Sequence, residues 1–271
     1  MTGKPGPTSA KPVVNKYLVM EKSRLNETVF KIRFLANDIA ERVLPGEFVN
    51  VRPGPTFDPL LRRPFSVYLA NPEEGWIDLL IKVVGPGTEL LSRLEEGDLV
   101  DILGPLGRGF DLETVGTAVL VGGGIGIAPL VFLAHELLFL KKPVHFFQGF
   151  GNAGEVCGLE DLEALKIAPV VSTEDGSFGV KGLVTDPLRD FLRKQKDPEK
   201  IELFCCGPNP MLAAISNLPD SDRWKAQFSL ETRMACGIGA CMGCAVPTFD
   251  GEQYRLVCKD GPVFKKNEVW L

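Results

Sequence analysis

The chain has 271 residues, a formal net charge of −5, and a composition that is 45% hydrophobic and 24% charged. This length suits one large or two medium domains, and the acidic balance argues against nucleic-acid binding, which needs clustered Lys and Arg. No apolar run approaches the ~20 residues that span a bilayer. Residues 1–12 are rich in Pro, Gly, Ser and Thr and lack the apolar stretch of a signal peptide, so we expect a flexible tail and a cytoplasmic protein.

Residues 13–112 consist of short β-rich runs separated by Gly and Pro. Several such runs with turn residues between them predict a small antiparallel β-barrel. One short helix is predicted over residues 89–94. The predicted strands cover residues 16–20, 28–35, 47–53, 64–70, 76–84 and 98–104.

Residues 113–228 alternate strands with helices, which predicts a doubly wound parallel α/β sheet with right-handed crossovers. A glycine-rich loop over residues 122–129 follows the first strand of this part. The predicted strands cover residues 117–121, 144–149, 168–172 and 201–207, and the predicted helices cover residues 130–140, 160–166, 186–194 and 210–217.

Residues 229–271 hold cysteines in the order C-x4-C-x2-C, followed thirteen residues later by a fourth: Cys236, Cys241, Cys244 and Cys258. Clustered thiols in a chain without an export signal indicate metal or redox chemistry rather than disulfides. The first three match the plant-type ferredoxin loop and predict a small 2Fe–2S domain. A four-cysteine zinc site is the alternative, although zinc ribbons use two C-x2–4-C pairs and the fourth cysteine here stands alone. A terminal hairpin is predicted over residues 252–261.

The glycine loop after the first strand of the α/β part is a candidate nucleotide site. Read from Gly124, it has the form G-x-G-x-x-P, with Gly126 as the second glycine and Pro129 at the start of the next helix. A helix N-terminus favours a pyrophosphate. Cys206 and Gly207 end another strand and are expected beside the same crevice, because ligands bind at the carboxyl ends of parallel strands. For the glycine loop the alternative is a tight βα turn, but its setting among alternating strands and helices favours the nucleotide site. Residues 172–179 end another strand on this edge; taken singly, residues 205–211 and 172–179 are better explained by an N-cap and a turn.

Two arginines precede a serine at the start of a predicted barrel strand. Arg63 followed by Ser66 could bind a diphosphate through charge-assisted hydrogen bonds, whereas a solvated basic pair, Arg62 and Arg63, is the alternative. Residues 85–91 form a second glycine turn before a short helix, which also suits a phosphate. From the residues alone, both interpretations of the arginines stay open.

The motifs in this order resemble the ferredoxin–NADP reductase superfamily and, within it, the family of electron-transfer subunits of two-subunit, NAD-dependent dihydroorotate dehydrogenases. The resemblance covers the chain from about Val13 to its end. It rests on RPFS (63–66), GPGT (85–88), GGGIGIAPL (122–130), CCGPNPM (205–211) and CGIGACMGC…CKDGPVF (236–264).

The resemblance implies an antiparallel β-barrel FAD domain at 13–112, a doubly wound α/β NAD domain at 113–228 and a small 2Fe–2S domain at 229–271. The superfamily often has tyrosine where this chain has Phe65. Leu80, Ile81 and Lys82 would act through their backbone. FAD would be held by Arg63, Pro64, Phe65, Ser66, Leu80, Ile81, Lys82, Gly87 and Thr88; the nicotinamide nucleotide would be held by Gly124, Gly126, Cys206 and Gly207.

The resemblance also implies a role in pyrimidine biosynthesis. A separate FMN-containing subunit would oxidise dihydroorotate, and this chain would carry the electrons through the 2Fe–2S cluster and FAD to NAD, in a heterotetramer. The alternatives are the small subunit of an NADH-dependent ferredoxin:NADP oxidoreductase, a hydrogenase diaphorase subunit, and a non-catalytic zinc- or FAD-binding regulator. No catalytic acid–base residue is expected here: His135 and His145 are predicted at core or edge positions.

Three further expectations concern specific segments. No Lys or Arg follows the strand at 144–149 within residues 150–158, which predicts NAD rather than NADP because a 2′-phosphate needs a cationic partner. Cys157 and Cys205 are expected to be uninvolved in the cluster. Apolar residues of the cysteine segment are expected either to surround the cluster or to form a partner surface: Met234, Met242, Val246, Pro247, Val263 and Phe264.

Overall fold

The computed structural model describes residues 11–113 and 116–271. The predicted tail over residues 1–12 therefore lies almost entirely outside the described residues. Within the described ranges, no helix is long and apolar enough to cross a membrane.

The first part of the chain is a closed antiparallel barrel with the strand order β1-β2-β5-β4-β3-β6, which confirms the predicted barrel. In β3, Val49 and Val51 point into the barrel core, while Phe48 packs outward against the C-terminal segment. The short helix begins at Pro86, three residues earlier than predicted, where proline suits the first helical turn. The elements are β1 (Val13–Arg24), β2 (Val29–Leu35), α1 (Asn37–Ala40), β3 (Phe48–Val51), β4 (Arg63–Asn71), β5 (Trp76–Lys82), α2 (Pro86–Ser92) and β6 (Leu99–Leu106).

The second part is a sheet whose helices pack on both faces, as predicted. Helices α3 and α4 cover one face and α5 and α6 cover the other. The strand order is β10-β9-β8-β7-β11-β12-β15. Neighbouring strands are parallel except for the last pair, in which β15 (Val263–Lys265) runs antiparallel to β12. Strands β10 and β12 were not predicted. The elements are β7 (Thr117–Gly123), α3 (Ala128–Phe139), β8 (Val144–Phe150), α4 (Leu159–Ala164), β9 (Val170–Thr173), β10 (Val180–Lys181), α5 (Thr185–Arg193), β11 (Ile201–Cys206), α6 (Asn209–Ser216) and β12 (Lys225–Ser229).

The cysteine segment leaves the sheet after β12 and returns to it. It contains the hairpin of β13 (Ala245–Pro247) and β14 (Tyr254–Leu256), and then β15 (Val263–Lys265) pairs antiparallel with β12, with Ser229 opposite Val263. The predicted hairpin at 252–261 was wrong, because its first strand lies earlier, at Ala245–Pro247. Val263 and Phe264 are buried by this pairing and cannot form a partner surface.

Side chains and backbone groups tie the barrel to the other two parts. Tyr68 donates a hydrogen bond of 2.6 Å to Asp161 of α4, which also accepts one of 2.7 Å from Lys31. The backbone N–H of Arg108 donates to the carbonyl of Gly261, 2.6 Å away. The barrel is therefore in direct contact with both the α/β sheet and the cysteine segment.

Candidate redox site

The four cysteines lie together as two pairs. The backbone N–H of Cys241 donates a hydrogen bond to Cys236 Sγ, and that of Cys258 donates one to Cys244 Sγ, each at 3.4 Å. This arrangement fits a two-iron cluster, in which each iron takes two thiolates. This paired arrangement favours the cluster over a zinc site, which would gather all four thiolates around one ion.

Backbone N–H groups of the cysteine loop point at the sulfur atoms. Cys236 Sγ accepts hydrogen bonds from the backbone N–H groups of Ile238, Ala240 and Cys241 at 3.3–3.5 Å, and Cys258 Sγ accepts one from Gly239 at 3.1 Å. Partial desolvation opposes ionisation of Cys236, but these N–H groups outweigh it and lower the pKa of its thiol to about 6. These N–H groups therefore favour a thiolate at Cys236, the form that binds iron, whereas burial raises the pKa of the Cys258 thiol to about 12.

The flavin cavity lies between the barrel and the two following parts of the chain. It has a volume of about 330 Å³. Seven of the nine residues expected to hold FAD line it: Arg63, Pro64, Phe65, Ser66, Leu80, Lys82 and Thr88. The Ile81 side chain points into the barrel core instead, so only its backbone is available on this side.

The two neighbouring arginines have different environments. Arg62 forms an ion pair with Asp101, in which a single nitrogen, Nη2, lies 2.8 Å from both carboxylate oxygens. Arg63 lines the flavin cavity, and no described carboxylate lies within ion-pair distance of it. A Cβ atom on Gly87 would lie 2.8 Å from Arg63 Nε, so a glycine is needed for the guanidinium to pack there. A cation without a described counter-charge beside a cavity suits a diphosphate, so Arg63 rather than Arg62 is the candidate for that role.

The hydroxyl of Thr88 is used within its own turn. It accepts hydrogen bonds from the backbone N–H groups of Val84 and Gly85 at 2.9 and 3.2 Å, and it donates to the Gly85 carbonyl at 2.9 Å. Thr88 therefore shapes the start of α2, and a phosphate here would meet mainly backbone N–H groups.

The nucleotide cavity lies at the carboxyl ends of the parallel strands and has a volume of about 510 Å³. Gly124, Gly126 and Gly207 line it, as expected. A Cβ atom on Gly126 would lie 2.5 Å from the Cys206 carbonyl oxygen, so the close approach of these two loops requires glycine. The lining also includes Glu155 and Glu174 but no arginine, and Lys82, which lines the cavity too, is paired with Glu155. This distribution of charge disfavours an additional phosphate.

Cys206 has a different position from the one expected. Its side chain is 1% exposed and lies beneath the glycine loop, lining neither cavity. Burial raises the pKa of its thiol well above the usual value. Cys206 therefore supports the crevice through its backbone. The sequence indicated that β11 ends here but not which way the side chain points.

The two cavities meet at three residues that line both: Lys82, Ile125 and Glu231. Lys82 Nζ lies 3.5 Å from Glu155 Oε1 in the nucleotide cavity. A nicotinamide entering from one cavity and a flavin in the other would come together here.

The cysteine segment contributes directly to the flavin cavity. Met234, two residues before the first cysteine, and Pro262 both line it. Phe48 lines the same cavity and also belongs to the apolar cluster that contains Cys244 and Cys258. Sequence analysis did not single out six residues that line the cavities: Phe48, Ile125, Glu155, Glu174, Glu231 and Pro262. Ile125 and Pro262 lie inside recognised motifs, 122–130 and 236–264, and Glu174 lies at a strand end within residues 172–179. Phe48, Glu155 and Glu231 come from segments without a recognised motif.

Several expected surface and core positions can also be compared with the structure. Met242 is 58% exposed beside the exposed Cys241, and Pro247 is also exposed. The two histidines were expected at core or edge positions, and the structure excludes the core for both, because His135 and His145 are exposed. Neither lines the flavin or the nucleotide cavity.

Comparisons with known proteins agree with this geometry. A family model described as the iron–sulfur cluster binding domain of dihydroorotate dehydrogenase B matches residues 231–270, and one described as an oxidoreductase FAD-binding domain matches residues 16–110. The fold and the sites thus define a flavin- and nicotinamide-dependent oxidoreductase that carries an iron–sulfur cluster.

More specific matches come from whole-chain relatives. The dihydroorotate dehydrogenase B (NAD(+)) electron transfer subunit of Desulforamulus reducens is 40% identical over 244 residues, covering 89% of this chain and 92% of that protein. The subunit of the same name from Fusobacterium nucleatum is 36% identical, covering 93% and 96%. The chain belongs to the family of dihydroorotate dehydrogenase B electron transfer subunits.

A solved structure also matches almost the whole chain. It is that of an NADH-dependent reduced ferredoxin–NADP oxidoreductase, studied for flavin-based electron bifurcation, with a TM-score of 0.83 and 30% identity over 98% of this chain and 91% of that chain. The ferredoxin reductase of carbazole 1,9a-dioxygenase matches with a TM-score of 0.64 at 22% identity, which shows a shared fold only.

Proposed function

We propose that this chain passes electrons between an iron–sulfur cluster and NAD, with FAD between them, as the electron-transfer subunit of an NAD-dependent dihydroorotate dehydrogenase. The observation that carries the proposal is the order of the sites. Met234 and Pro262 of the cysteine segment line the flavin cavity, and Lys82, Ile125 and Glu231 are shared by the flavin and nucleotide cavities. When bound, FAD supplies the exchange between hydride transfer and single-electron transfer.

The residues of the chain have distinct tasks in this proposal. Cys236 and Cys241 bind one iron, and Cys244 and Cys258 bind the other. Arg63 neutralises the FAD diphosphate, and Ser66 lies nearer the flavin ring. Gly124, Gly126 and Gly207 let the nucleotide approach the backbone. No residue of the chain needs to abstract a proton from carbon, because the substrate chemistry occurs elsewhere.

The proposed partner is an FMN-containing subunit that oxidises dihydroorotate in pyrimidine biosynthesis, in a cytoplasmic heterotetramer. The exposed loop around Cys241 supports this, because Ile238 and Met242 are 52% and 58% exposed there and place apolar surface beside the cluster ligands. We further propose the domain division 13–112 for FAD, 113–228 for NAD and 229–271 for the cluster.

The experiment that tests the proposal uses the purified chain with and without the FMN subunit. Alone, it should contain FAD, iron and sulfide, and it should oxidise NADH with artificial dyes but show no dihydroorotate oxidation. Adding the FMN subunit should produce dihydroorotate:NAD oxidoreductase activity and a larger species in size-exclusion chromatography. Dihydroorotate oxidation by the chain alone, or no association with the FMN subunit, would contradict the proposal.

A second candidate is the small subunit of an NADH-dependent ferredoxin:NADP oxidoreductase, because the solved structure of such an enzyme covers 98% of this chain. The two candidates differ in their partner. Co-purification with a dihydroorotate-oxidising FMN protein supports the first candidate, and co-purification with a protein that reduces NADP supports the second.

A further inference from the structure

Asn50 of β3 is a polar side chain buried at the junction of the barrel and the cysteine loop. It is 1% exposed, and neither Nδ2 nor Oδ1 has a hydrogen-bond partner within the described part of the chain. Buried amides are almost always paired, because an unpaired one loses its hydrogen bonds to water without replacement. The position of this amide therefore requires an explanation.

The amide is pressed against the backbone of the cysteine loop. A Cβ atom on Gly237 would lie 1.9 Å from Asn50 Nδ2, so only glycine is tolerated beside the ligand Cys236. Gly237 also has φ of +71°, in the region that favours glycine. On the barrel side, Asn50 is paired across the sheet with Pro64, which lines the flavin cavity. The amide thus lies between the flavin cavity and the first cysteine.

The cysteine loop already contains hydrogen-bond donors to the ligand sulfur atoms. Backbone N–H groups of the loop itself donate to Cys236 Sγ and Cys258 Sγ. Such donors stabilise the reduced cluster, because it carries more negative charge than the oxidised one. Asn50 Nδ2 approaches the same loop from the barrel, next to Gly237.

We propose that Asn50 is a hydrogen-bond donor to the iron–sulfur cluster. Its Nδ2–H group donates to a sulfur atom of the loaded site beside Cys236, so that a residue of the flavin-binding barrel raises the reduction potential of the cluster. This inference rests on the proposed function only in requiring that the four cysteines hold the cluster.

The test compares the chain as purified, with FAD and cluster, to Asn50→Leu, which removes the amide at similar size. In a redox titration followed by electron paramagnetic resonance, the variant should be about tenfold harder to reduce at a fixed potential, a shift of about 59 mV for a one-electron couple. The matched control is Gln148→Leu, because Gln148 of β8 is another fully buried amide without a partner in the described chain. An equal shift in both variants, or less than a twofold change in Asn50→Leu, overturns the proposal.

A second measurement does not depend on the variant folding. Pulsed electron paramagnetic resonance on the unsubstituted, reduced protein labelled with side-chain [15N]asparagine should show a 15N coupling to the cluster. Absence of that coupling in a protein that contains iron and sulfide overturns the role of Asn50. Absence of iron and sulfide themselves refutes the proposed function, so the two failures are distinct.

Discussion

Replacing Arg63 with alanine should weaken FAD binding with little effect on folding. Arg63 lines the flavin cavity, has no described carboxylate within ion-pair distance and packs across Gly87. Its loss removes charge-assisted hydrogen bonds to the diphosphate, which contribute about 1.5–3 kcal/mol. At about 1.4 kcal/mol for each tenfold change, the dissociation constant for FAD should rise roughly 10- to 150-fold.

The adjacent arginine is the matched control. Arg62→Ala removes the same charge one residue away but breaks the pair with Asp101, whose side chain is 23% exposed. That change should lower the free energy of unfolding by about 1 kcal/mol, because both side chains of the pair are only partly exposed. FAD affinity of the folded Arg62→Ala protein should stay within about threefold of the parent, less than about 0.7 kcal/mol.

The assay is a titration of the flavin-depleted protein with FAD, followed by flavin fluorescence, beside guanidinium unfolding of each variant. Arg63→Lys keeps the charge but not the planar fork, so its affinity should fall between those of the parent and Arg63→Ala. If Arg62→Ala weakens FAD binding as much as Arg63→Ala does, the distinction between a structural and a ligand-binding arginine is wrong.

The remaining predictions concern the cysteines, the nucleotide and pH. Cys241→Ser should remove iron and sulfide from the protein, whereas Cys205→Ala should leave the cluster absorption intact; unchanged iron in the first variant would refute the ligand assignment. Turnover with NADH in a dye-reduction assay should exceed that with NADPH, since Glu155 and Glu174 line the nucleotide cavity and no arginine does; equal turnover would contradict this. Burial raises the pKa of Glu47 from its usual 4.5 to about 7, so the folded state binds more protons than the unfolded state between these values and stability should fall as pH rises through them. Glu47→Gln should flatten that dependence in thermal unfolding, and an unchanged slope would show that another group is responsible.

The elements that sequence analysis located correctly are those whose pattern is local. All six barrel strands have alternating or β-branched runs. The Cys236–Cys244 loop carries three of the four expected cluster ligands within nine residues. The cavity lining was only partly predicted, because it depends on how distant segments meet. Glu231 and Phe48 have no motif, and only the folded chain brings both to the flavin cavity.

Side-chain direction was the second limit. Ile81 and Cys206 were placed correctly along the chain, yet both side chains point away from the cavities. In a strand, neighbouring residues face opposite sides, so a motif that names consecutive residues always includes some that can act only through their backbone. Arg62 and Arg63 are likewise adjacent in the sequence, yet the Arg62 side chain pairs with Asp101 and the Arg63 side chain lines the flavin cavity.

The pairing of Ser229 with Val263 has a consequence for how this architecture can vary. Since the cysteine segment departs from and rejoins the sheet at neighbouring strands, its two ends remain side by side whatever lies between them. A short turn joining β12 to β15 could in principle replace the entire segment without moving any strand of the sheet. The cysteine segment is thus an insertion between two neighbouring strands of the α/β sheet. A segment that binds a different redox carrier could be inserted at the same point.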